Sequence, residues 1–122
     1  MFRVNVARSF QASHALKNYN CADETPHEHI WKFEICVASK SLDESGCAVD
    51  FVKLDKLIDE IIHPFEGSSF NCIKPFDEIS PSTENIAKFI FDRIATVIDS
   101  VDTKLSSVTV WEDIDHSATY YE

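Results

Sequence analysis

Two stretches near the start of the chain alternate between apolar and polar positions. The even positions are mostly apolar between residues 2 and 14, where Arg8 is the exception, and the odd positions are apolar between residues 27 and 40. A two-residue period places every second side chain on the same face of an extended strand. The pattern therefore predicts two long β-strands, 2–14 and 27–40. The long polar connection between them holds Cys21 and has the length of a functional loop.

The middle of the chain changes to helical spacing. Apolar residues recur every three or four positions after Asp50, which is a favourable N-cap, and Pro64 predicts the end of this first helix. A second apolar stripe follows Ser80 and Pro81. A capping residue followed by proline is typical of a helix start, so the second helix is predicted to begin there.

Two short segments, 105–112 and 117–121, complete the chain as predicted strands. The resulting order, β-β-α-α-β-β, indicates an α+β fold in which a four-stranded antiparallel sheet carries both helices on one face. The length of 122 residues fits a single domain, 1–122. Such a sheet has two open edges and one uncovered face, so we expect copies of the chain to associate.

Composition narrows the classes of partner. The net charge of −10 argues against nucleic acid, because that affinity depends on Lys and Arg at the phosphates, and it also disfavours anionic membranes. The N-terminus has no apolar signal-peptide region, and no apolar run approaches the roughly 18 residues of a membrane span. None of the cysteines forms a Cys-x-x-Cys pair. We therefore expect a soluble cytoplasmic protein with reduced thiols.

Three histidines are the strongest chemical signal in the sequence. His14 is in phase with the apolar face of the first predicted strand, and His27 and His29 are in phase with that of the second. An unpaired polar group on such a face costs about 1–3 kcal/mol, so the imidazoles need a common partner. A divalent metal would supply one, and three neutral imidazoles with an open fourth position are typical of catalytic zinc. The alternative is that each histidine is an ordinary core or surface residue.

Four ordered motifs resemble one family of enzymes. They are Phe10-Gln-Ala-Ser-His14, Cys21 followed by His27-Glu-His29, Gly46-Cys-Ala-Val-Asp-Phe51, and Pro81-Ser-Thr-Glu-Asn-Ile-Ala87, and a late strand with Val110-Trp-Glu112 and Tyr120 completes the set. Over essentially its full length, the chain resembles the 6-pyruvoyl-tetrahydropterin synthase and 6-carboxy-tetrahydropterin synthase family. The resemblance implies the tunnelling fold, in which trimers close a β-barrel and two trimers stack into a hexamer with active sites between subunits.

The resemblance also implies a chemistry. His14, His27 and His29 would hold Zn²⁺, and the substrate would be a dihydropterin, typically 7,8-dihydroneopterin triphosphate, on the way to tetrahydrobiopterin or the queuosine precursor. Cys21 matches the general base of the family, although it could also be a spare thiol in a polar loop. The implied activity is that of a zinc-dependent lyase acting on the pterin side chain.

Further residues match positions that bind the substrate. Glu112 matches the glutamate that anchors the pterin, and a carboxylate can accept two parallel hydrogen bonds from such a ring edge. It is in phase with the apolar positions of its strand, so we expect it to face inward, with an internal ion pair as the alternative. Glu84 also matches a family residue, and Ser82 and Thr83 are candidate ligands of polar atoms of the pterin. All three could instead cap the second helix or complement its dipole.

Three positions depart from the family pattern, and one of them, Glu28, replaces the glycine between the paired histidines and is expected to point away from the metal. Gly67 stands where the histidine of a catalytic Asp-His pair is expected, while Glu66 can replace the aspartate. A missing general acid or base typically lowers the rate by about 10²–10⁴, so the proton relay must differ. His116 in the last hairpin is the better candidate replacement and His63 the weaker, and either could be an exposed histidine without a role. Ala15 replaces a basic residue, which weakens the case for a triphosphate.

The leading hypothesis is therefore a zinc-dependent lyase with a rebuilt proton relay. The alternative is a catalytically weakened member of the family that binds zinc and a pterin without converting it. A zinc hydrolase of unrelated chemistry has only the three histidines in its favour.

Overall fold

The computed structural model describes residues 1–122. Its elements are β1 (Phe2–His14), β2 (His27–Ser39), α1 (Phe51–Ile62), a 3₁₀ turn (Phe70–Cys72), α2 (Thr83–Ile98), β3 (Thr103–Trp111) and β4 (Ser117–Tyr121). The strands form one antiparallel sheet in the order β1-β2-β3-β4. The predicted α+β architecture and order of elements are confirmed. Neither helix combines the length and the apolar character that a membrane crossing requires.

The register of the strands brings distant residues to one end of the sheet. β1 and β2 pair along their whole lengths, so that His14 lies opposite His27, and Ala12 lies opposite His29. β3 pairs with β2 as far as Trp111, and Glu112 follows it at this same end. Because side chains alternate between faces, these residues can point to the same side of the sheet.

The hydrophobic core lies between the sheet and the two helices. Trp31, Phe33 and Ile35 of β2 are almost completely buried, as are Ile58 of α1 and Ile90 of α2. Both helices pack on this face, as predicted. The opposite face of β2 is exposed at the alternate positions, which matches the two-residue period of the sequence.

Arg8 interrupts the apolar face of β1 for a structural reason. Its guanidinium contacts the carboxylates of Asp59 and Asp55, the latter at 3.3 Å, and both belong to the outer side of α1. The side chain thus joins the edge of the sheet to the first helix. An arginine in phase with the core is therefore compatible with the strand that the pattern predicts.

The second helix begins later than predicted. Ser82, not Ser80, is its N-cap, and the Ser82 hydroxyl accepts a hydrogen bond from the backbone N–H of Asn85 at 3.2 Å. Pro81 precedes the cap and is not the first helical residue. Its carbonyl oxygen is consequently outside the helix and free to accept a hydrogen bond from elsewhere.

The third strand contains an irregularity that sequence alternation does not anticipate. Its register with β2 shifts between Cys36 and Val37, which pair with Ser107 and Leu105. Leu105 and Val108 are both buried although they are three positions apart, an offset that strict alternation would place on opposite faces. A bulge of one residue lets both positions face the core. The strand begins at Thr103 rather than at residue 105, because Thr103 and Lys104 also pair with β2.

Part of the free edge of β1 is covered by the segment before the 3₁₀ turn. Gly67 donates its backbone N–H to Gln11 at 2.7 Å, and Ser13 donates its own to Ser68 at 2.9 Å. Gly67 has a φ of +70°, and a Cβ added there would meet nothing within 4 Å. The glycine is thus favoured by its left-handed backbone and not by lack of space.

Candidate metal centre

The three histidines predicted as ligands converge at one end of the sheet. Their ring centroids lie 4.6 to 5.2 Å apart, and Nε2 of His14 is 3.0 Å from Nε2 of His27. Together with Glu112 they offer four possible ligand atoms, all within 4.8 Å of one another. The structure therefore brings His14, His27 and His29 to one point, and a carboxylate comes with them.

His14 is held in one orientation by the start of α2. The ring is 1% exposed, and its Nδ1–H donates a hydrogen bond to the carbonyl oxygen of Pro81 at 2.8 Å. Because a carbonyl can only accept, the proton sits on Nδ1 and the lone pair is left on Nε2. Burial lowers the pKa of His14, and this outweighs the opposite effects of the Pro81 carbonyl and the Glu112 carboxylate. The imidazole is therefore neutral, as a metal ligand must be.

The other two histidines also direct a nitrogen towards this point. His27 donates its Nδ1–H to the carbonyl oxygen of Thr25 at 3.0 Å, which leaves its Nε2 as an acceptor. Nε2 of His29 is buried and has no hydrogen-bond partner. Lone pairs of His14 and His27 that face each other repel, and a buried nitrogen without a partner is costly. A divalent metal that favours imidazole would relieve both, so the residues present fit such an ion.

Glu112 lies against the same nitrogens. Its Oε1 is 2.9 Å from Nε2 of His14 and 3.5 Å from Nε2 of His29, and its side chain is 27% exposed. The inward direction predicted from strand phase is confirmed. Sequence reasoning assigned this carboxylate to the pterin, with an internal ion pair as the alternative, and did not place it beside the histidines, although its phase with the strand was sufficient to do so.

Cys21 lies outside this four-residue cluster. It is exposed and has a φ of +66°, and Asn18 and Asn20 in the same loop are also left-handed, at 57° and 50°. Such backbone is unfavourable for cysteine by about 1–3 kcal/mol and persists only where the surroundings impose it. The structure thus presents the Cys21 thiol on the tip of a constrained loop.

A glutamate that sequence reasoning missed closes the Cys21 loop. Glu24 donates its backbone N–H to Leu16 at 2.8 Å, and its Oε1 accepts the backbone N–H of Leu16 at 3.2 Å. The same Oε1 lies 3.5 Å from Nδ1 of His27. Carboxylates beside a ligand histidine orient its ring. The available signal was a carboxylate three residues before the first histidine of the pair.

Asn71 was also missed as a support for the centre. Its side-chain amide accepts the backbone N–H of Ala15 at 2.9 Å and donates to the Ala15 carbonyl oxygen at 2.8 Å. Ala15 is buried and directly follows His14. Asn71 therefore fixes the chain immediately after the ligand residue, through a contact between segments that are distant in sequence.

The residues predicted for proton transfer lie on the surface. Glu66 and His63 are both exposed and line one open groove together with Arg8 and Asp59. Neither belongs to the four-residue cluster. Glu66 directly precedes Gly67, the first residue of the segment that pairs with β1, so this stretch has a clear structural role.

His116 lies in the turn between β3 and β4, and its side chain is 73% exposed. Its Nδ1–H donates to the Asp113 carboxylate at 2.8 Å, and this hydrogen bond raises the pKa of His116. The backbone carbonyl of His116 accepts the N–H of Glu112 at 3.0 Å. A backbone hydrogen bond across the turn therefore connects His116 to Glu112, the carboxylate beside the three histidines.

The predicted pterin-binding residues at the start of α2 adjoin the metal centre through Pro81. Ser82 and Thr83 are half-buried, and Ser82 caps the helix. Glu84 is exposed in the first helical turn, where a carboxylate complements the helix dipole. The capping role of Ser82 is thus present, and it leaves the Thr83 hydroxyl and the Glu84 carboxylate available.

Comparison with known proteins gives a consistent result. Residues 3–122 match the family described as 6-pyruvoyl tetrahydropterin synthase. The chain is 32% identical over 110 residues to a dihydroneopterin monophosphate aldolase of Pyrococcus furiosus, which covers 90% of this chain and 89% of that protein. It is 28% identical over 115 residues to the 6-carboxy-5,6,7,8-tetrahydropterin synthase of Bacillus subtilis, with 90% and 77% covered. The solved 6-pyruvoyl tetrahydropterin synthase of Caenorhabditis elegans superposes with a TM-score of 0.82 at 19% identity, over 99% of this chain and 95% of that one.

Proposed function

This chain belongs to the 6-pyruvoyl tetrahydropterin synthase family, and from that premise we propose that it is a zinc-dependent lyase acting on the side chain of a 7,8-dihydropterin. Relatives named as pterin synthases and as an aldolase support an enzyme that modifies a pterin side chain. The observation that carries the proposal is the convergence of three histidine nitrogens, one of them buried without a partner, beside an inward-facing carboxylate.

In this proposal His14, His27 and His29 hold the zinc, which when bound would polarise oxygen atoms of the pterin side chain. The Pro81 and Thr25 carbonyls keep the first two rings in the required tautomer. The core behind the histidines keeps water away from one side of the site. These residues bind and orient, and the proton transfers belong to other groups.

The pterin ring is bound by Glu112, whose carboxylate accepts the amino and ring N–H groups of the ring edge. Thr83 and Glu84 at the start of α2, with Ser82, supply further polar contacts to the ring. The closeness of Pro81 to His14 supports this arrangement, because it sets the start of α2 beside the metal residues.

Lyase chemistry on a hydroxylated side chain needs one base and one acid. We assign the role of base to the Cys21 thiolate, and we propose that the Glu66 carboxylate takes part in the proton transfer. His116 is the proposed acid, because its hydrogen bond to Asp113 favours the protonated imidazole. For an aldol cleavage the base takes the proton of a side-chain hydroxyl, the carbon–carbon bond breaks, and the acid returns a proton to the pterin-bearing carbon.

The substrate is proposed to carry one phosphate or none. Ala15 is buried and holds no charge where the family pattern has a basic residue, and the chain has a net charge of −10. Few cationic side chains are therefore available to neutralise a triphosphate, which is strongly anionic. The relative named as a dihydroneopterin monophosphate aldolase supports the same choice.

The second candidate is a protein that binds zinc and a pterin without converting it. It is favoured by Gly67, a residue with left-handed backbone that stands where the family pattern has the catalytic histidine. It is also favoured by the exposure of Glu66. The two candidates share the metal centre and differ only in turnover.

One experiment separates these candidates. Zinc-loaded protein is incubated with 7,8-dihydroneopterin, its monophosphate and its triphosphate, and products are followed by chromatography with fluorescence detection. We expect turnover of the unphosphorylated or monophosphate substrate, and a loss of at least about 10²-fold in Cys21→Ala. Cys47→Ala, which removes another exposed thiol, is the matched control and should keep full activity. Pterin binding without turnover would favour the second candidate, and no pterin affinity would exclude both.

A further inference from the structure

The position of Glu112 raises a question that the proposed pterin contact does not answer. Its Oε1 lies 2.9 Å from Nε2 of His14, the nitrogen directed at the metal centre, and 3.5 Å from Nε2 of His29. The backbone N–H of Glu112 donates a hydrogen bond to the carbonyl oxygen of His116 in the turn that follows β3. This bond fixes the backbone position from which the Glu112 side chain extends. The carboxylate is thus directed at the histidines.

The hydrogen-bonding capacity of these groups shows what is missing between them. Nε2 of His14 carries a lone pair, because its Nδ1–H is already donated to Pro81. A carboxylate oxygen also has only lone pairs to offer unless it is protonated. Two such acceptors at 2.9 Å are unfavourable without a positive charge between them. The same holds for Nε2 of His14 and Nε2 of His27 at 3.0 Å.

The spacing of the four atoms matches a single small cation. Zinc binds histidine nitrogen and carboxylate oxygen at about 2.0–2.2 Å, so two ligands of a tetrahedral ion lie about 3.4 Å apart. The distances from His14 and His29 to Glu112, and from His14 to His27, bracket this value, and no pair in the cluster exceeds 4.8 Å. Three imidazoles and one carboxylate therefore supply the donor atoms that a four-ligand site needs.

We propose that Glu112 exchanges partners: without substrate it is the fourth ligand of the metal, and on substrate binding it releases the metal and accepts the N–H groups of the pterin. This inference rests on the proposed function for its second half only. It revises the open fourth position predicted from sequence, because the site is closed by a carboxylate until a pterin competes for it. The metal is then exposed to a side-chain oxygen only when the correct ring is bound.

The two halves are tested by metal binding and by spectroscopy. Co²⁺ replaces Zn²⁺ as a probe, because its visible absorption is strong with four ligands and weakens as the number of ligands rises. We expect four-ligand absorption in the wild-type protein and an affinity for Co²⁺ at least about tenfold lower in Glu112→Gln. Glu34→Gln, an exposed position on the opposite face of β2, is the matched control and should bind Co²⁺ like the wild type. Circular dichroism of the metal-free proteins establishes that each variant is folded.

The exchange is tested by titrating the Co²⁺ protein with neopterin, an oxidised pterin that keeps the ring edge. We expect the visible spectrum to change in the wild-type protein in step with neopterin binding. An unchanged Co²⁺ affinity and spectrum in Glu112→Gln would overturn the ligand role, and neopterin binding without a spectral change would overturn the exchange. If neopterin does not bind at all, the exchange and the pterin function both fail, while the Co²⁺ affinities still decide whether Glu112 is a ligand.

Discussion

At the scale of single residues, the centre depends on groups that hold the histidines as much as on the histidines themselves. Glu24 is the clearest case. Its Oε1 accepts the backbone N–H of Leu16 at 3.2 Å and lies 3.5 Å from Nδ1 of His27. It couples the base of the Cys21 loop to a proposed metal ligand. A positioning residue of this kind affects the metal and the loop together.

Replacement of Glu24 by Gln should therefore change two separate properties. We expect the affinity for Zn²⁺ to fall about 10-fold or more, because second-layer carboxylates typically contribute 10–100-fold. The Cys21 thiol should also react faster with a thiol reagent as its loop loosens. Competition with a chromogenic chelator measures the first effect and thiol-labelling kinetics the second. Glu44→Gln, at an exposed site in another loop, should change neither, and normal zinc affinity in Glu24→Gln would contradict the assignment.

The sequence was sufficient to predict that the side chains of His14, His27, His29 and Glu112 face inward. The two-residue period of a strand decides the face on which each of them lies. It was insufficient for Glu24 and Asn71. Their roles depend on contacts with Leu16 and Ala15 that only the folded chain creates. Local pattern predicts the face on which a side chain lies, whereas its partner across a loop is set by the tertiary structure.

At the scale of elements, the free edge of β1 depends on the segment that starts at Gly67. This segment pairs with Gln11 and Ser13, just before His14. The backbone of Gly67 is left-handed, which favours glycine at the position where the family pattern has a histidine. The same position therefore supports the edge of β1 and lacks the imidazole that the family pattern places there.

Gly67→Ala should destabilise the protein by about 1–2 kcal/mol through backbone strain alone, because a Cβ there has open space. Gly67→Asn is the control, since asparagine tolerates this conformation better, and it should lose less stability. Urea denaturation of the metal-free proteins gives both values. Equal losses in the two variants would show that strain is not the cause.

Helix boundaries illustrate why the element level was only partly predictable. The first helix begins after Asp50, whose carboxylate accepts the N–H groups of Val52 and Lys53, and it was placed correctly. For the second helix, two serines were available as caps, and the pattern favoured Ser80 over Ser82. A tertiary contact occupies the capping group of Ser80, since its hydroxyl accepts a hydrogen bond from the backbone N–H of Lys17 at 3.0 Å. The backbone carbonyl of Ser80 accepts a second hydrogen bond, from the side-chain amide of Asn85.

At the scale of the whole molecule, the outer edges of β1 and β4 are available to pair with strands of other copies of the chain. β1 has no backbone partner outside β2 between residues 3 and 9, and β4 pairs only with β3. Unpaired edges of this length favour strand pairing between subunits. The structure describes one chain, so the trimers and hexamers implied by the family resemblance remain a prediction.

Light scattering coupled to gel filtration should give the mass of a trimer or, more fully assembled, a hexamer. Ala7→Pro should lower that mass, because proline removes a backbone donor from the β1 edge. Ala118→Ser, a mild change on β4 inside the sheet pairing with β3, serves as the control and should keep the wild-type mass. A wild-type protein that is monomeric at all concentrations tested would contradict the prediction.

The contact between the His14 ring and the Pro81 carbonyl has a consequence for biogenesis. The groups that meet at the centre come from residues 14, 27, 29, 81 and 112, so a nascent or disordered polypeptide offers a cation little more than the His-Glu-His fragment. Tight capture must await docking of the second helix and closure of the last hairpin, because these distant segments meet only then. In the proposed metalloenzyme, metal uptake would therefore be a late step of maturation, and a tightly bound ion would mark a completely folded chain.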